Sequence, residues 1–250
     1  MHELTAEDQG EPRQPVLWVT GGGSGIGRAS ALSAASRGWR VAISGRRPEP
    51  VRAVAREVEA LGADVLALPG DVRSIEDVTE SASAIEHRWG HLDGLVLAAG
   101  MNAPRRTWQD QDLQELGDIV ETNLVSVARV VQVALPHLRR TAGAIVIISS
   151  YAGWRFSAGA GVAYSASKTA LASLCQSLNA QEAAAGVRAC HVCPGDVDTD
   201  FLAQRPEVPG AEARTVMLTA HDVARAVQFV LDSPAHVRVD ELVISPVSQH

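Results

Sequence analysis

Several residue types are scarce in this chain of 250 residues, and each scarcity excludes something. Three cysteines are too few, and odd in number, for a disulfide framework. No apolar run approaches the ~20 residues that cross a bilayer, so we expect no membrane span. Basic residues number 22 against 29 acidic ones, a net charge of −7, and no basic stripe is interleaved with aromatics. Binding to nucleic acid or to an anionic membrane surface is therefore disfavoured.

The opening stretch, "MHELTAEDQGEPRQP", has neither a cationic start nor an apolar segment. We therefore expect no signal peptide and a cytoplasmic setting. The polar composition predicts a flexible tail over residues 1–14. The remaining residues, 15–250, fit one domain with a sizeable core, since 46% of the chain is hydrophobic.

One cysteine pair, Cys190 and Cys193, has the CxxC spacing that can indicate a metal or redox site. It lies in "VRACHVCPG", which is typical of a buried strand. Residues three apart on a strand point to opposite faces, so the two thiols should not converge. We predict that they pack in the core and that the chain holds no metal.

Short apolar runs alternate with helical stretches along the chain. The runs are continuous rather than period-two, which is typical of strands covered on both faces of a parallel sheet. This alternation predicts one doubly wound α/β sheet of about seven strands with helices on both faces. The predicted strands are "PVLWVTG", "RVAISGR", "DVLALPG", "LDGLVLAAG", "GAIVIISS", "VRACHVCPG" and "ELVISP". The predicted helices cover 25–37, 50–61, 75–89, about 111–139, 163–184 and 220–232.

The longest irregular segment is 200–218, "DFLAQRPEVPGAEARTVML". Two prolines and a glycine predict a loop, and a loop of this length in such a sheet can cover a site. Ligands of open parallel sheets bind beyond the carboxyl ends of the strands. The segments that follow each strand are therefore the candidates for a functional site.

The first predicted strand is followed by "TGGGSGIG", which opens a helix. Glycines let the backbone approach a pyrophosphate closely, and the free N–H groups at a helix start favour its charge. Between the first strand and the first helix of an alternating chain, this turn indicates a dinucleotide site. Its predicted members are Thr20, Gly21, Gly23, Ser24, Gly25, Ile26 and Gly27.

The only lysine of the chain, Lys168, follows one of its two tyrosines, Tyr164, by four residues. On a helix these two side chains share a face. An ammonium about 5 Å from the phenol, at an effective dielectric of ~20, favours the phenolate by about 3 kcal/mol. We therefore expect a lowered pKa for Tyr164 and a role in general acid–base catalysis. For this spacing alone, a surface pair four residues apart is the alternative.

Taken together, TGxxxGxG and "YSASK" resemble the short-chain dehydrogenase/reductase family over roughly 15–247. The resemblance implies a single-domain Rossmann fold and an enzyme that transfers hydride between NAD(P) and a carbonyl or secondary alcohol. It also implies a homodimer or homotetramer paired through the two long helices. Apolar residues there, listed next, fit either an interface or the core: Val127, Val130, Val131, Leu171 and Leu174.

The end of the second strand, "AISGRRPEP", bears on the cofactor. Gly45 stands where NAD-dependent relatives often carry Asp, and Arg46 and Arg47 follow. A guanidinium grips a phosphate bidentately, so NADP is favoured. The alternative is that Arg46 is a solvated residue stacking on adenine, with NAD also accepted.

The resemblance implies further cofactor contacts after the later strands. The family's "GDV" and "NAG" positions correspond here to Asp71 with Val72, and to Ala98, Ala99 and Gly100. Ala98, at the asparagine position of the "NAG" motif, departs from the family pattern. After the sixth strand, "PGDVDT" implies nicotinamide contacts from Pro194, Gly195, Val197 and Thr199.

The resemblance also completes a catalytic set of Asn123, Ser150, Tyr164 and Lys168. Ser150 matches the serine that bonds the substrate oxygen; Ser149 competes, but on a strand it points the other way. Asn123 matches the asparagine that orders a water in a relay with the lysine. A lone helical asparagine is otherwise usually structural.

The C-terminal segment, "LTAHDVARAVQFVLDSPAHVRVDELVISPVSQ", resembles the branch of the family that oxidises serine and other 3-hydroxy acids with NADP. A carboxylate substrate needs a cation, for which Arg155 and Arg105 are candidates, although either also fits a solvated surface. The alternatives are a broad carbonyl reductase or alcohol dehydrogenase of secondary metabolism, and a non-catalytic NADP-binding regulator on the same fold.

Overall fold

The computed structural model describes residues 13–249. The expected tail, 1–14, therefore falls almost wholly outside the described residues. The strands are β1 (Val16–Thr20), β2 (Arg40–Gly45), β3 (Val65–Pro69), β4 (Gly94–Leu97), β5 (Ala144–Ile148), β6 (Arg188–Pro194), β7 (Val197–Asp198), β8 (Leu218–Thr219) and β9 (Glu241–Ile244). The helices are α1 (Gly25–Ala35), α2 (Pro48–Ala60), α3 (Ile75–Trp89), α4 (Leu113–Val120), α5 (Ser126–Thr141), α6 (Tyr151–Trp154), α7 (Val162–Gln181), α8 (Ala211–Arg214) and α9 (Ala220–Leu231).

Seven parallel strands form one sheet in the order β3-β2-β1-β4-β5-β6-β9, which confirms the predicted doubly wound architecture. The order reverses between β1 and β4, so their carboxyl ends open a crevice at the centre of the sheet. A second sheet, formed by β7 and β8 alone, was not predicted. Two-residue strands show no periodicity from which they could be recognised.

Strand β1 shows how the continuous apolar runs are buried, since all five of its residues are buried. Val16 and Trp18 pack in the layer formed by α3, α5 and α7. Leu17 and Val19 pack in the opposite layer, formed by α1, α2 and α9. Each strand residue thus contacts one helical layer, as period-two geometry requires.

The long helix expected at 111–139 spans Leu113–Thr141 and is interrupted. Between α4 and α5 the chain widens into a π-helical turn, Glu121–Val125, a feature that often marks functional sites. An 18-residue window of this run has a mean hydropathy of 1.3, so the run would pass for a membrane span by length and composition. Its α5 half instead packs in the core through Val127, Val130 and Val131.

That packing also answers where the apolar residues of the long helices lie. Val127, Val130, Val131 and Leu171 are all core residues, and Leu174 is partly buried against the same cluster. Exposed apolar side chains of the first helical run are Leu113 and Val125, which are 79% and 39% exposed. An interface on this helical run would therefore use Leu113 and Val125 and not the buried Val127, Val130 and Val131.

The 200–218 segment is less irregular than expected. A 3₁₀ helix spans Asp200–Gln204, followed by α8 and the short strand β8. Leu202 is buried, so this part of the segment is anchored rather than solvated. Single-turn helices carry too little periodicity to be predicted.

The two thiols of the CxxC spacing face opposite layers of the sheet, as expected. Cys190 belongs to the core cluster beneath α9, whereas Cys193 contacts the Nδ1 atom of His191 at 3.3 Å on the other face. Burial raises the pKa of both cysteines to about 12. Sequence reasoning missed that Glu241, on β9, pairs in register with His191 and contacts it at 3.2 Å. The side-chain atoms of His191, Cys193 and Glu241 that could bind a metal lie within 4.8 Å of one another. The contacts of His191 with Cys193 and with Glu241 account for this cluster.

Candidate active site

The glycine-rich turn after β1 lies directly against the end of β4. Gly21 has φ +64°, and a Cβ at this residue would lie 2.6 Å from the backbone nitrogen of Ala99. Only glycine fits there without displacing backbone. Gly25, with φ +52°, then begins α1, whose cap residue Ser24 makes no side-chain cap bond. The first N–H groups of α1 are therefore available to an anion, as a pyrophosphate requires.

A cavity of about 490 Å³ lies above this turn. It brings together most of the residues predicted to bind the cofactor, from the ends of five strands. Those that line it are Gly21, Gly23, Ser24, Gly25, Arg46, Arg47, Asp71, Val72, Ala98, Ala99, Gly100 and Thr199. Thr20 and Gly27 lie behind the turn instead; both are buried.

A second cavity, of about 800 Å³, continues from the first. Thr199 and Phe201 line both cavities, so the two adjoin. The remaining predicted residues that line the second cavity are Ile26, Ser150, Tyr164, Lys168, Pro194, Gly195 and Val197. The combined space runs from the arginines after β2 to the tyrosine of α7, and its polar lining and glycine turn fit a dinucleotide.

The arginines after β2 are exposed and form no ion pair within residues 13–249. The nearest carboxylate in sequence, Glu49, pairs with Arg52 at 2.8 Å rather than with Arg46 or Arg47. Asp71 bonds Arg73 at 2.9 Å. Burial raises the pKa of Asp71, but the contacts with Arg73 and the charge of Arg46 outweigh it, and the net pKa is lowered. The free guanidinium groups thus stand at the mouth of the smaller cavity.

Helix α7 presents Tyr164 and Lys168 to the second cavity, one turn apart, as predicted from their spacing. The Lys168 Nζ atom lies 5.7 Å from the centre of the Tyr164 ring. Lys168 is only 4% exposed and donates to the backbone oxygen of Ile148 at 2.9 Å. The ammonium is therefore held between the end of β5 and the phenol.

Burial decides the proton affinities of this pair. It raises the pKa of Tyr164 above its ordinary value, against the lowering effects of the Ser150 hydroxyl and of the Arg106 and Arg205 guanidinium groups. Burial also lowers the pKa of Lys168 to about 8. The expectation that Lys168 leaves Tyr164 with a lowered pKa is wrong in direction for this site, since desolvation of the phenol is the larger effect.

The two serines after β5 separate as expected. Ser149 is 5% exposed and donates to the backbone oxygen of Lys168 at 3.1 Å. Ser150 lines the second cavity near Tyr164 and caps α6 by accepting from the Ala152 N–H at 3.2 Å. Ser150, rather than Ser149, therefore presents its hydroxyl beside the phenol.

Asn123 lies in the π-helical turn and is fully buried. Its amide nitrogen donates to Met101 O at 2.9 Å and to Ser167 Oγ at 3.2 Å, and its Oδ1 accepts from Met101 N at 2.8 Å. Both amide hydrogens are therefore used within the protein. The side chain joins the loop after β4 to α7, beside Gly100 and the Lys168 ammonium.

The arginines suggested for a substrate carboxylate lie outside the cavity. Arg105 pairs with Asp112 and Glu115, each at 3.3 Å, and Arg155 stacks on the ring of Trp154 at 4.1 Å. Besides Lys168, two arginines do line the cavity, Arg106 and Arg205, and both were missed. No sequence signal separated Arg106 from its neighbour, because only the fold of the loop decides which of the two faces inward.

Comparison with known proteins agrees with this geometry. The model of the short chain dehydrogenase family matches residues 15–209. An uncharacterized oxidoreductase of Staphylococcus aureus strain MW2 is 31% identical over 230 residues, covering 92% of this chain and 96% of that protein. The chain therefore belongs to the short-chain dehydrogenase family and is an NAD(P)-dependent oxidoreductase.

Solved structures extend the likeness to nearly the full chain. The alcohol dehydrogenase of Thermococcus sibiricus, complexed with 5-hydroxy-NADP, superposes with a TM-score of 0.86 at 28% identity, covering 95% of this chain and 98% of that one. The closed form of a serine dehydrogenase complexed with NADP⁺ gives 0.85 at 26% identity, covering 94% and 96%. Both are similar proteins with their own substrates.

Proposed function

We propose that this protein is an NADP-dependent dehydrogenase/reductase in which Tyr164 exchanges a proton with the oxygen of a carbonyl or secondary alcohol. The observation that carries the proposal is the meeting of Ser150, Tyr164 and Lys168 at a cavity that adjoins the glycine turn. The dinucleotide, when bound, supplies or accepts the hydride.

Each residue has a distinct part in this proposal. Ser150 and Tyr164 orient the substrate oxygen by hydrogen bonding. During reduction Tyr164 donates its proton to that oxygen, and during oxidation it accepts one. Lys168 stabilises the phenolate that forms. Asn123 holds the loop after β4 against α7 through its side-chain amide. Because that amide is fully hydrogen-bonded, a relay water would bind to the backbone of Asn123 in the π-helical turn.

Replacing Tyr164 with Phe tests the proposal. Loss of the proton donor should lower kcat by about 10²- to 10⁴-fold, while NADP binding persists because the glycine turn is unchanged. Tyr151→Phe is the matched control, since it removes the only other phenol and keeps the ring that packs on Trp154. Turnover is followed by the absorbance of the reduced nicotinamide. A near-normal kcat of the Tyr164 variant would contradict the proposal.

Two substrate classes fit the second cavity. A small 3-hydroxy acid is supported by the C-terminal segment, which forms α9 and β9, and by the likeness to serine dehydrogenase. A neutral ketone or alcohol is supported by the apolar lining from Ile148, Phe156 and Phe201. Assays of serine and 3-hydroxypropionate beside neutral secondary alcohols separate the classes, and absence of any rate on hydroxy acids rejects the first.

The segment 200–218 serves in this proposal as the cover of the substrate site. Phe201 and Leu202, from its 3₁₀ helix, and Arg205, directly after that helix, border the second cavity. We also propose a cytoplasmic homodimer or homotetramer. Exposed Leu113 and Val125, on the helical run expected to pair, support such an interface, and light scattering measures the assembly.

A further inference from the structure

The charges around the substrate cavity are unequal. Arg205 forms an ion pair with Asp196, but both side chains are part-exposed, so the pair offsets the charge of Arg205 only in part. Arg106 forms no ion pair within residues 13–249, although it is part-buried at the wall of the same cavity. An arginine removed from water without a carboxylate is costly unless something else compensates it.

Arg106 is held rigidly by backbone oxygens. Its Nε donates to Ala103 at 2.9 Å, its Nη1 to Gly159 at 2.8 Å and its Nη2 to Gln204 at 2.9 Å. These acceptors come from three separate loops, so the guanidinium has one orientation. Of its five N–H groups, two remain, one on each terminal nitrogen, and these are left to donate to an anion.

The guanidinium also lies near enough to the reactive phenol for its charge to act against the burial that raises the pKa of Tyr164. Val162, at the start of α7, donates its N–H to the backbone oxygen of Arg106 at 3.3 Å, two residues before Tyr164. The positive charge of Arg205 lies near enough to help burial lower the pKa of Arg106. Two like charges beside one cavity repel each other, and an anion between them removes that repulsion.

We propose that Arg106, with Arg205 beside it, forms an anion-binding subsite for a carboxylate or phosphate group of the substrate. The subsite rests on the proposed redox function, because it places the anion next to the carbonyl carbon that Tyr164 serves. It deepens that function by making the substrate a charged one. Arg106 is a substrate-binding residue here, and the proton transfer stays with Tyr164.

Substrate pairs in which one member carries an anionic group and the other does not test the subsite in the wild-type protein. The carboxylate pair is 3-hydroxypropionate and its methyl ester; the phosphate pair is dihydroxyacetone phosphate and dihydroxyacetone. We expect kcat/KM to favour the anion of at least one pair by about tenfold or more, as for hydrogen bonds to charged groups. The pair that shows the preference identifies the anion. Turnover of the neutral members with no preference in either pair overturns the subsite and leaves the redox function standing.

Variants assign the preference to its residues. Arg106→Lys keeps the charge without the fork, and Arg205→Gln leaves the three-loop clamp intact if substitution at Arg106 prevents folding. Each should lower the preference for the anion by about tenfold, through KM rather than kcat. Arg105→Gln is the control, since its side chain faces Asp112 and Glu115 outside the cavity. An unchanged preference in both cavity variants contradicts the proposal.

If the protein turns over none of these compounds, the redox function is tested with neutral ketones and secondary alcohols, and the subsite is tested by binding. Calorimetry of the NADP-loaded wild-type protein with 3-hydroxypropionate and with dihydroxyacetone phosphate then replaces the rates. Binding of either anion that Arg205→Gln weakens supports the subsite. Absence of binding by both overturns it.

Discussion

Burial shifts the pKa values of Tyr164 and Lys168 in opposite directions. Burial disfavours the charged form of each, which raises the pKa of the phenol and lowers the pKa of the amine to about 8. At neutral pH the phenol is therefore protonated and the amine mostly charged. In this state the phenol can donate a proton to a carbonyl oxygen.

The pH dependence of reduction follows from these states. As pH rises through about 8, Lys168 loses its charge and no longer stabilises the phenolate. We expect kcat/KM for NADPH, which reports groups of the free enzyme, to fall through that range. Lys168→Arg should be slower, because the planar fork fits differently, and should lack the inflection. A wild-type profile that stays flat from pH 7 to 10 would count against this explanation.

The expected preference for NADP depends on Arg46. Its guanidinium is exposed at the smaller cavity and unpaired within the described chain. Arg46→Ala should lower kcat/KM for NADP by about tenfold or more, as for a lost charge-assisted bond, and leave that for NAD nearly unchanged. The two cofactors are compared under the same substrate. A wild-type preference for NAD would refute the assignment.

Among the elements, two irregular ones position the site. The π-helical turn places Asn123 between the loop after β4 and α7. The turn after β1 needs a left-handed residue in contact with backbone at Gly21. In both, local geometry that costs free energy is retained where the chain meets a ligand.

Gly21→Ala should both destabilise the protein and weaken the binding of the cofactor. The new Cβ meets the backbone at Ala99 in addition to the strained φ, so we expect a loss of about 2–4 kcal/mol. Gly38→Ala is the matched control: Gly38 has φ +82° but nothing within 4 Å of its Cβ position. It should lose only about 1–2 kcal/mol. Denaturant titrations with NADP binding measure both; equal losses would show that the contact with β4 is unimportant.

Across the full sheet, the residues proposed to bind the cofactor come from the ends of β1, β2, β3, β4 and β6, so one ligand would join segments distant in sequence. A ligand that binds only the folded protein stabilises it by about 2.7 kcal/mol at 100 times its Kd. For a chain of this size the melting temperature should rise by about 5–10 °C. At equal concentrations we expect a larger rise with NADP than with NAD, measured by calorimetry. Absence of any rise with either would contradict the dinucleotide site.

Much of the fold and part of the site were predictable. The continuous apolar runs predicted the seven-stranded sheet, and the four-residue spacing correctly placed Tyr164 and Lys168 at one cavity. Strand alternation predicted which serine faces the phenol and that Cys190 and Cys193 face apart. The pKa of Tyr164 was not predictable, because the extent of its burial depends on Phe201 and other residues far along the chain.

The amino-acid order alone specifies what repeats or lies nearby: the periods of strands and helices, the glycine turn, and side chains one helical turn apart. These depend on local geometry, which a short segment carries with it. How three loops close around Arg106, why Glu241 reaches His191 and where α4 widens into the π-helical turn depend on contacts between distant segments. Such contacts exist only once the sheet has assembled, so they became visible in the folded chain and not before.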